Sequence, residues 1–380
     1  MEKSKKKIVY CIPATYNSGG MERVLANKAN FLSKDIFDVY VITTEQKGRQ
    51  PFFKFNKNVH QIDLGINYED NKKRSFFAKL FYYFYNQIKH KKKLSRCLNK
   101  IKPDIVISTF NQEAGILHKI NNGSKKIIEF HFNRDNIDIK KANTSFGYKI
   151  LNFYEKIIYK DPIKEYTKLV LLTEEDRNYW KEYSNTIVIP NAQTFEYEDR
   201  AHLKNKKVIA VGRYAKIKGF DRLINAWNII RDEIGDWKLE IFGEGSERYN
   251  LQNQIDNLKL NDSIKLMGNS PNIKEEYKNA SILVMSSHNE GFPMALIEAK
   301  SAGVPIVSFD CPCGPKEIIQ DGKDGFLVEN GNIKELAKKI LRLLEDQNLR
   351  EFMGKNAFEN SQAYSEESIM NKWIALFNSL

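Results

Sequence analysis

Short apolar runs alternate with helical patterns from one end of this chain to the other, and this alternation constrains the fold more than any other feature. It is typical of parallel β-sheets covered by helices. In the first half, the predicted strands are Lys7–Ile12, Val39–Thr43, Asp104–Thr109, Lys126–Phe130 and Lys168–Leu172. In the second half, they are Lys207–Val211, Lys238–Phe242, Ser263–Leu266, Ile282–Met285 and Pro305–Ser308. Each set suffices for one Rossmann-like sheet, so we predict an α/β protein with two such domains.

The length of 380 residues agrees with two domains, at roughly 150 residues per domain. A polar stretch without periodicity, residues 193–206, follows the apolar segment 187–192. We therefore predict domains over residues 1–192 and 193–365, and a last helix over residues 366–380 that crosses back to the first domain. Doubly wound sheets bind ligands at the carboxyl ends of their strands, so two such domains facing each other would form one cleft for two substrates.

The basic residues are concentrated in the first half of the chain. Residues 1–195 carry 35 Lys and Arg against 20 Asp and Glu, a net charge of +15, whereas residues 196–380 carry 25 against 28, a net charge of −3. Many of the lysines lie in residues 72–102. Apolar side chains recur among them at helical spacing, namely Phe76, Phe77, Leu80, Phe81, Phe84 and Ile88. We predict a basic amphipathic helix there.

Three interpretations of this basic helix are open. It is an ordinary helix that packs its aromatic side chains on a sheet and leaves its lysines in water, or it binds an anionic membrane surface, or it binds nucleic acid. Aromatic residues beside lysines favour the membrane, because such rings sit well at the headgroup boundary. Nucleic acid ranks last, since no nucleic-acid-binding motif is present.

The composition excludes several classes of protein. Hydrophobic residues make up 42% and charged residues 28%, as in an ordinary folded chain. No unbroken apolar run approaches 18 residues, and Pro13 and Asn17 interrupt the N-terminal apolar stretch, so neither a transmembrane helix nor a signal peptide is predicted. We expect a cytoplasmic protein. The four cysteines fit a reducing compartment, and the close pair Cys311 and Cys313 is too small a set for a structural zinc site.

Two turns contain paired glycines. Gly19 and Gly20 precede a helix, where backbone N–H groups are free to approach an anion, although a glycine turn also serves simply to enter a helix. Gly243 and Gly245 begin like a dinucleotide fingerprint, but Arg248 stands in the place of the third glycine. A nicotinamide or flavin dehydrogenase is therefore disfavoured, and a tight turn beside a ligand cleft is the plain interpretation.

The second domain opens with a strand end, a basic loop and a helix over residues 211–220. Arg213 and Lys218 are expected to project from the loop, where a planar fork and a point charge together neutralise a diphosphate. The alternative is two solvated basic residues in a turn.

The most informative segment is residues 286–299, directly after the predicted strand Ile282–Met285. Pro293 suits the first turn of a helix, which places Glu290 in the entry loop and Glu298 on the helix. A glutamate binds paired sugar hydroxyls such as those of ribose, and free N–H groups at a helix start bind the other end of the ligand.

These motifs together resemble glycosyltransferase family 4, the retaining enzymes with the two-domain GT-B fold, and the group 1 type of surface-polysaccharide synthesis. The EX7E signature runs from Glu290 to Glu298. The other matching motifs are GGMERVL (19–25), GRYAKIKGF (212–220), FGEG (242–245) and SFDCPCGPKEIIQDGKDGFLVE (308–329). They cover most of the second domain and little of the first.

The resemblance implies a role for each matched residue in the second domain. Arg213 and Lys218 hold the diphosphate of the donor, Glu298 holds the ribose, and Gly243 of the FGEG motif lines the donor site. Glu290 meets the donor sugar and phosphates. The backbone of the residues that follow it does the same, namely Gly291, Phe292, Pro293 and Met294.

In the first domain, the resemblance matches Gly20 to a glycine near the transferred group. It also matches His131 to a cleft histidine near the reacting carbon. Phe130 and Phe132 flank this histidine, so a buried core histidine is the alternative.

The resemblance also implies a metal-independent reaction without a cofactor. We find no Asp-x-Asp motif, and the nearest pair is Asp135 with Asp138. Cations and helix N-termini would stabilise the leaving diphosphate instead. We expect a hexosyltransferase that moves sugar from a nucleotide donor, a UDP-sugar, to a saccharide acceptor linked to a polyprenyl diphosphate. The basic first domain would place it peripherally on the inner face of the membrane. A GT-B sugar-nucleotide epimerase and a non-catalytic membrane-binding protein are the alternatives.

Overall fold

A computed structural model of the chain describes residues 5–71, 75–132 and 162–380. Residues 72–74 of the predicted basic helix, and the pair Asp135 and Asp138, lie outside the described residues, as do the side chains of Phe76, Phe77 and Leu80. The chain forms two compact units. The first contains Met1–Leu172, Asp176–Ile189 and Met370–Leu380, and the second contains Thr173–Glu175 and Pro190–Ile369.

The first unit is built on a parallel sheet of seven strands in the order β3-β2-β1-β4-β5-β6-β7. The strands are β1 (Lys7–Ile12), β2 (Asp38–Thr43), β3 (Val59–Asp63), β4 (Ile105–Ser108), β5 (Lys125–Glu129), β6 (Lys168–Leu171) and β7 (Thr186–Val188). The sequence pattern predicts five of them and misses the two edge strands. Those two bury few side chains and so lack the continuous apolar run of a strand covered on both faces.

The helices of the first unit connect these strands. The described ones are α1 (Gly20–Leu32), α2 (Phe76–Ile101), α3 (Ala114–Leu117) and α4 (Glu174–Tyr179), of which the start of α4 belongs to the second unit. Helix α2 ends where Lys102 adopts a left-handed conformation, with φ of 53°, directly before a proline.

Helix α2 does not bury the aromatic side chains that are described. Among its described side chains, the buried ones are spaced three or four residues apart, namely Asn86, His90, Leu94, Leu98 and Ile101. Phe81, Tyr85 and Ile88 lie on another face and are 68%, 55% and 72% exposed. The interpretation of an ordinary helix with its aromatic residues on a sheet is therefore wrong for Phe81 and Tyr85.

The second unit contains a parallel sheet of six strands in the order β10-β9-β8-β11-β12-β13. The strands are β8 (Lys207–Val211), β9 (Lys238–Phe242), β10 (Ile264–Gly268), β11 (Ile282–Met285), β12 (Ile306–Asp310) and β13 (Gly325–Glu329). Only the edge strand β13 is missing from the sequence prediction. The predicted fold class, an α/β protein with two parallel-sheet, Rossmann-like domains, is confirmed.

The helices of the second unit cover this sheet. They are α5 (Phe220–Ile229), α6 (Arg248–Asn257), α7 (Ile273–Lys278), α8 (Met294–Ser301), α9 (Pro315–Ile318), α10 (Ile333–Glu345) and α11 (Gln347–Asn360). Trp227 of α5 is fully buried in the core, and its indole N–H donates a hydrogen bond to Ser263 Oγ at 3.2 Å.

The last helix, α12 (Glu366–Ser379), contributes its first turn to the second unit and its remainder to the first. In the first unit, the Phe377 ring meets Phe37 edge-on, with 5.5 Å between ring centroids, and Lys6 Nζ donates to the carbonyl of Phe377 at 2.9 Å. No helix in the part of the chain that the structure describes is both long enough and apolar enough to span a membrane.

Candidate active site

The loop after β11 carries Glu290. Every residue of β11 is buried, and the strand lies between β8 and β12, so its carboxyl end opens where the strand order reverses. Helix α8 follows the loop, with Pro293 at its N-cap position, one residue before the first turn in which we predicted it. Glu290 lies in the entry loop and Glu298 in the helix, which is the placement that the spacing predicts.

Lys218 and Glu290 form an ion pair. Lys218 Nζ lies 2.7 Å from Glu290 Oε1 and 2.9 Å from Oε2, so both carboxylate oxygens contact one ammonium group. Ser287 Oγ also donates to Glu290 Oε1 at 2.5 Å. Lys218 is predicted to bind phosphate, and Glu290 to meet the sugar. In the structure, they contact each other, which sequence spacing cannot reveal because they are 72 positions apart.

Backbone hydrogen bonds hold the Glu290 loop in place. The Glu290 N–H donates to the carbonyl of Pro312 at 2.7 Å, and the Cys313 N–H donates to the carbonyl of Glu290 at 3.0 Å. Both Cys311 and Cys313 are buried free thiols. Burial raises the pKa of Cys311 to about 12, and the nearby Glu290 carboxylate contributes. Cys311 is therefore a neutral thiol that packs the loop.

Arg222 is a further residue of this region, and the sequence pattern does not indicate it. It is buried on α5, and its Nη2 donates to the carbonyl of Ser286 at 2.6 Å, where β11 ends. The guanidinium carbon lies 4.5 Å from the centroid of the Phe309 ring. A buried arginine that holds a loop carbonyl has no spacing signature in the sequence.

The loop after β8 holds Arg213 at the surface and Lys218 against the backbone. Arg213 is exposed, and a Cβ built on its neighbour Gly212 would lie 3.5 Å from Lys218 Cδ. A Cβ on Gly243, whose φ is +140°, would lie 1.9 Å from the carbonyl oxygen of Gly212. Gly243 thus lets the ends of β8 and β9 approach closely, which is a structural requirement for glycine there.

Glu298 is buried on α8 beside a tyrosine. Tyr277 Oη donates to Glu298 Oε2 at 2.8 Å, and Tyr277 is fully buried. Burial raises the pKa of Tyr197, with a further contribution from Glu298. We did not single out Tyr277 from the sequence, since its position on α7 follows only from the packing of two helices.

One cavity of about 520 Å³ adjoins this region without including its predicted residues. It is lined by Lys216, Ile217, Phe220, Asn250 and His288, among others, between the start of α5 and helix α6. The cavity therefore does not contain the Lys218–Glu290 pair.

Gly20 is the first residue of α1 in the first unit. A Cβ built on Gly20 would meet no described atom within 4 Å, whereas one on Gly19 would lie 2.2 Å from Glu22 Oε2. A side chain at position 19 would displace the Glu22 carboxylate, whereas position 20 is open on the side where a Cβ would point.

His131 lies just after β5 and is 9% exposed. Its Nε2 lies 3.4 Å from Glu129 Oε1. Burial lowers the pKa of His131; the Glu129 carboxylate acts in the opposite direction, and Lys28 lowers the pKa further. This is the environment of a neutral imidazole beside a buried carboxylate.

The second unit thus brings Lys218, Glu290 and the start of α8 together, with Arg213 in the same loop as Lys218 and Glu298 on α8. Gly20 and His131 belong to the first unit. Within residues 5–71, 75–132 and 162–380, no three His, Cys, Asp or Glu side chains form a group that could hold a metal ion.

Two Rossmann-like units, the second with cations and carboxylates at the carboxyl ends of its strands, are the architecture of the GT-B fold class. The fold is similar to the crystal structure of a mutant of Staphylococcus aureus TarM in complex with Fondaparinux, alpha-GlcNAc-glycerol and UDP. The TM-score is 0.76 over 98% of this chain and 100% of that chain, at 19% sequence identity.

The family model described as glycosyl transferases group 1 matches residues 193–360. An uncharacterized glycosyltransferase of Haemophilus influenzae is 30% identical over 374 residues, which are 97% of this chain and 99% of the relative. The chain therefore belongs to the glycosyltransferases, and its residues 193–360 match the group 1 model. The enzyme is therefore a glycosyltransferase, and the epimerase and the non-catalytic binding protein are not supported.

Another relative is from Campylobacter jejuni and is 27% identical over 377 residues, covering 97% of this chain and 98% of the relative. Its name is GalNAc-alpha-(1->4)-GalNAc-alpha-(1->3)-diNAcBac-PP-undecaprenol alpha-1,4-N-acetyl-D-galactosaminyltransferase.

Proposed function

We propose that this enzyme is a retaining, family 4 hexosyltransferase that moves a sugar from a UDP-sugar to a saccharide acceptor on a polyprenyl diphosphate, without a metal ion. The observation that carries the proposal is the Lys218–Glu290 pair beside the start of α8. It supplies a cation for a diphosphate and a carboxylate for a sugar at the switch point of the sheet, which is where such folds bind ligands.

When the donor binds, its diphosphate replaces Glu290 as the partner of the Lys218 ammonium group. Arg213 is exposed in the same loop, and its planar guanidinium group binds a second phosphate oxygen. The free N–H groups at the start of α8 lie next to Gly291, Phe292, Pro293 and Met294, and bind the same anion. Glu298 accepts hydrogen bonds from the ribose hydroxyls, and Gly243 lines the donor site from the adjacent loop.

The Glu290 carboxylate then contacts the donor sugar. Ser287 Oγ still holds Oε1, which keeps the carboxylate oriented after Lys218 has moved to the phosphate. Glu290 orients a sugar hydroxyl and stabilises the positive charge that develops on the anomeric carbon.

In the transfer step, the bond between the anomeric carbon and the β-phosphate oxygen breaks. The acceptor hydroxyl oxygen bonds to the same face of that carbon, and its proton passes to the departing phosphate oxygen. Lys218 and Arg213 stabilise the negative charge on the diphosphate. Gly20 leaves room for the transferred group, and His131 contacts the sugar near the reacting carbon.

The acceptor proposal is supported by the name of the Campylobacter jejuni relative, which describes transfer to a saccharide on PP-undecaprenol. The UDP part of the donor is supported by the TarM complex, whose title includes UDP. A polyprenyl anchor lies in the bilayer, so the enzyme works as a peripheral protein on the inner, cytoplasmic face.

Ligand binding tests the donor site. Thermal shift and saturation-transfer NMR with UDP-, GDP- and ADP-sugars in EDTA should show selective stabilisation by one UDP-sugar. An NMR spectrum of the product should then show the anomeric configuration of the donor. A donor bound only after a divalent cation is added would refute metal independence, and an inverted linkage would refute retention.

Helix α2 supports binding to an anionic membrane. Phe81, Tyr85 and Ile88 are exposed at the i, i+4, i+7 spacing of one helix face, and the basic Lys91 and Lys92 follow in the next turn. Apolar side chains that enter the interface beside lysines attracted to anionic headgroups are the pattern of an interfacial helix.

We expect the double substitution Phe81→Glu with Ile88→Glu to weaken binding to anionic vesicles at least about 100-fold. Each buried side chain of this size contributes about 1.5–3 kcal/mol. Vesicle co-sedimentation measures the change. The control is Phe352→Glu, which replaces another exposed phenylalanine, 54% exposed, in the second unit and should leave binding unchanged. Equal binding of the wild type to neutral and anionic vesicles would contradict the charge argument.

A further inference from the structure

Lys28 lies in the buried stripe of α1, although it is a lysine. Leu25, Ala26, Ala29 and Leu32 are buried on the same helix, and Lys28 itself is 2% exposed. A buried ammonium requires a partner, because removing a charge from water costs several kcal/mol unless it is paired. This residue therefore needs an explanation beyond helix packing.

The partner is Glu129 at the end of β5. Lys28 Nζ contacts Glu129 Oε1, and the glutamate is 1% exposed. The two residues are 101 positions apart in the chain. Burial lowers the pKa of Lys28, while Glu129 acts in the opposite direction and favours the charged ammonium.

Trp373 of the last helix encloses the pair. Lys28 Nζ lies 3.8 Å from the centroid of the Trp373 ring and 5.6 Å from that of the Tyr10 ring, both of which are almost wholly buried. The aromatic faces stabilise the ammonium where no water reaches it. The carboxylate is therefore held rigidly from the side of α1 and α12.

The same carboxylate oxygen also faces His131. Glu129 Oε1, which contacts Lys28, lies 3.4 Å from His131 Nε2. In a neutral imidazole, one ring nitrogen carries the proton and the other accepts. A carboxylate beside Nε2 favours the proton on Nε2 and leaves Nδ1 as the acceptor.

We infer that Glu129, held by Lys28 and Trp373, is a positioning residue that fixes the tautomer and the ring orientation of His131. In catalysis, this leaves Nδ1 as the ring's hydrogen-bond acceptor for a sugar hydroxyl. That consequence rests on the proposed function, whereas the positioning itself does not.

Two double variants separate positioning from simple structural support. Lys28→Met with Glu129→Leu replaces the ion pair with apolar side chains of similar size, which often preserves stability. Lys28→Met with Glu129→Gln also removes both charges but keeps an oxygen that accepts from His131 Nε2–H. The two proteins differ only at position 129, where glutamine supplies an amide and leucine supplies no polar group.

Nitrogen-15 NMR of the full-length protein, labelled at its six histidines, measures the tautomer. His131→Asn identifies the signal. We expect the Nε2–H tautomer in the wild type and in the glutamine variant, and a mixture of tautomers in the leucine variant. Indistinguishable His131 signals in all three proteins would overturn the inference.

Kinetics of sugar transfer add a second readout. We expect kcat of the leucine variant to fall about 100-fold, the cost of a misplaced catalytic group, with KM for the donor little changed. The glutamine variant should recover most of that loss. If His131→Ala transfers sugar as fast as the wild type while the leucine variant still loses its tautomer, the positioning stands and the proposed role of His131 fails.

Discussion

Lys218→Ala should lower kcat for sugar transfer by about 100- to 1000-fold. This is the cost of removing one preorganised donor that stabilises charge developing in the transition state. Lys218 is held beside the end of β11 by Glu290, with Nζ–Oε distances of 2.7 and 2.9 Å, so its ammonium needs little reorganisation to reach a diphosphate at the same place. Arg213→Ala should reduce kcat in the same direction.

Lys216→Ala is the matched control, because Lys216 is exposed in the same turn as Lys218 and contributes an equal charge. We expect it to leave kcat near the wild-type value.

Glu290→Gln should change donor affinity and kcat differently from Lys218→Ala. It releases Lys218 from its ion pair, so donor affinity should hold or increase while kcat falls. Wild-type rates in both Lys218→Ala and Arg213→Ala would show that these two residues do not stabilise the leaving diphosphate.

Lys300→Met should destabilise the second unit by about 3–5 kcal/mol, the usual cost of leaving one partner of a buried ion pair uncompensated. Lys300 Nζ lies 2.8 Å from Asp324 Oδ2, and the two side chains are 3% and 0% exposed. Asp324 also accepts from the Gln320 N–H at 2.8 Å and from Asn360 Nδ2 at 3.0 Å. Lys300 lies on α8, two residues after Glu298, so this pair anchors the helix that carries the site.

Urea unfolding followed by the fluorescence of Trp227 and Trp237, both buried in the second unit, measures the change. The control is Lys206→Met, which breaks the exposed ion pair with Asp236 and should shift the midpoint far less. Adding Asp324→Leu to Lys300→Met should restore much of the lost stability, since it removes the stranded carboxylate. Equal midpoints for Lys300→Met and Lys206→Met would show that the buried pair does not anchor α8.

The strand pattern predicts the sheets well because strands covered on both faces are continuous apolar runs. Lys7–Ile12, Lys207–Val211, Lys238–Phe242 and Ile282–Met285 agree with the prediction to the residue. The missed strands, Val59–Asp63, Thr186–Val188 and Gly325–Glu329, lie at the edges of their sheets. Val59–Asp63 and Thr186–Val188 bury few side chains, so their local patterns are weak. Gly325–Glu329 buries three of its five residues and was missed although it carries an apolar run.

The spacing of Glu290, Pro293 and Glu298 also located the loop and the helix of the candidate site, because helix entry depends on a few neighbouring residues. The spacing in the sequence did not predict which residues these side chains contact. Lys218 meets Glu290 across 72 positions, Tyr277 meets Glu298 across 21, and Lys28 meets Glu129 across 101.

Local chemistry was therefore enough for the fold class, the order of elements and the residue types at the ends of the central strands, since each depends on hydrophobic period and on turn residues within a short window. The tertiary structure alone decided that Lys28 pairs with Glu129, Lys218 with Glu290 and Lys300 with Asp324. Burial forces every buried charge to find a partner, and the strand order, rather than the distance along the chain, determines which residue is near enough to serve.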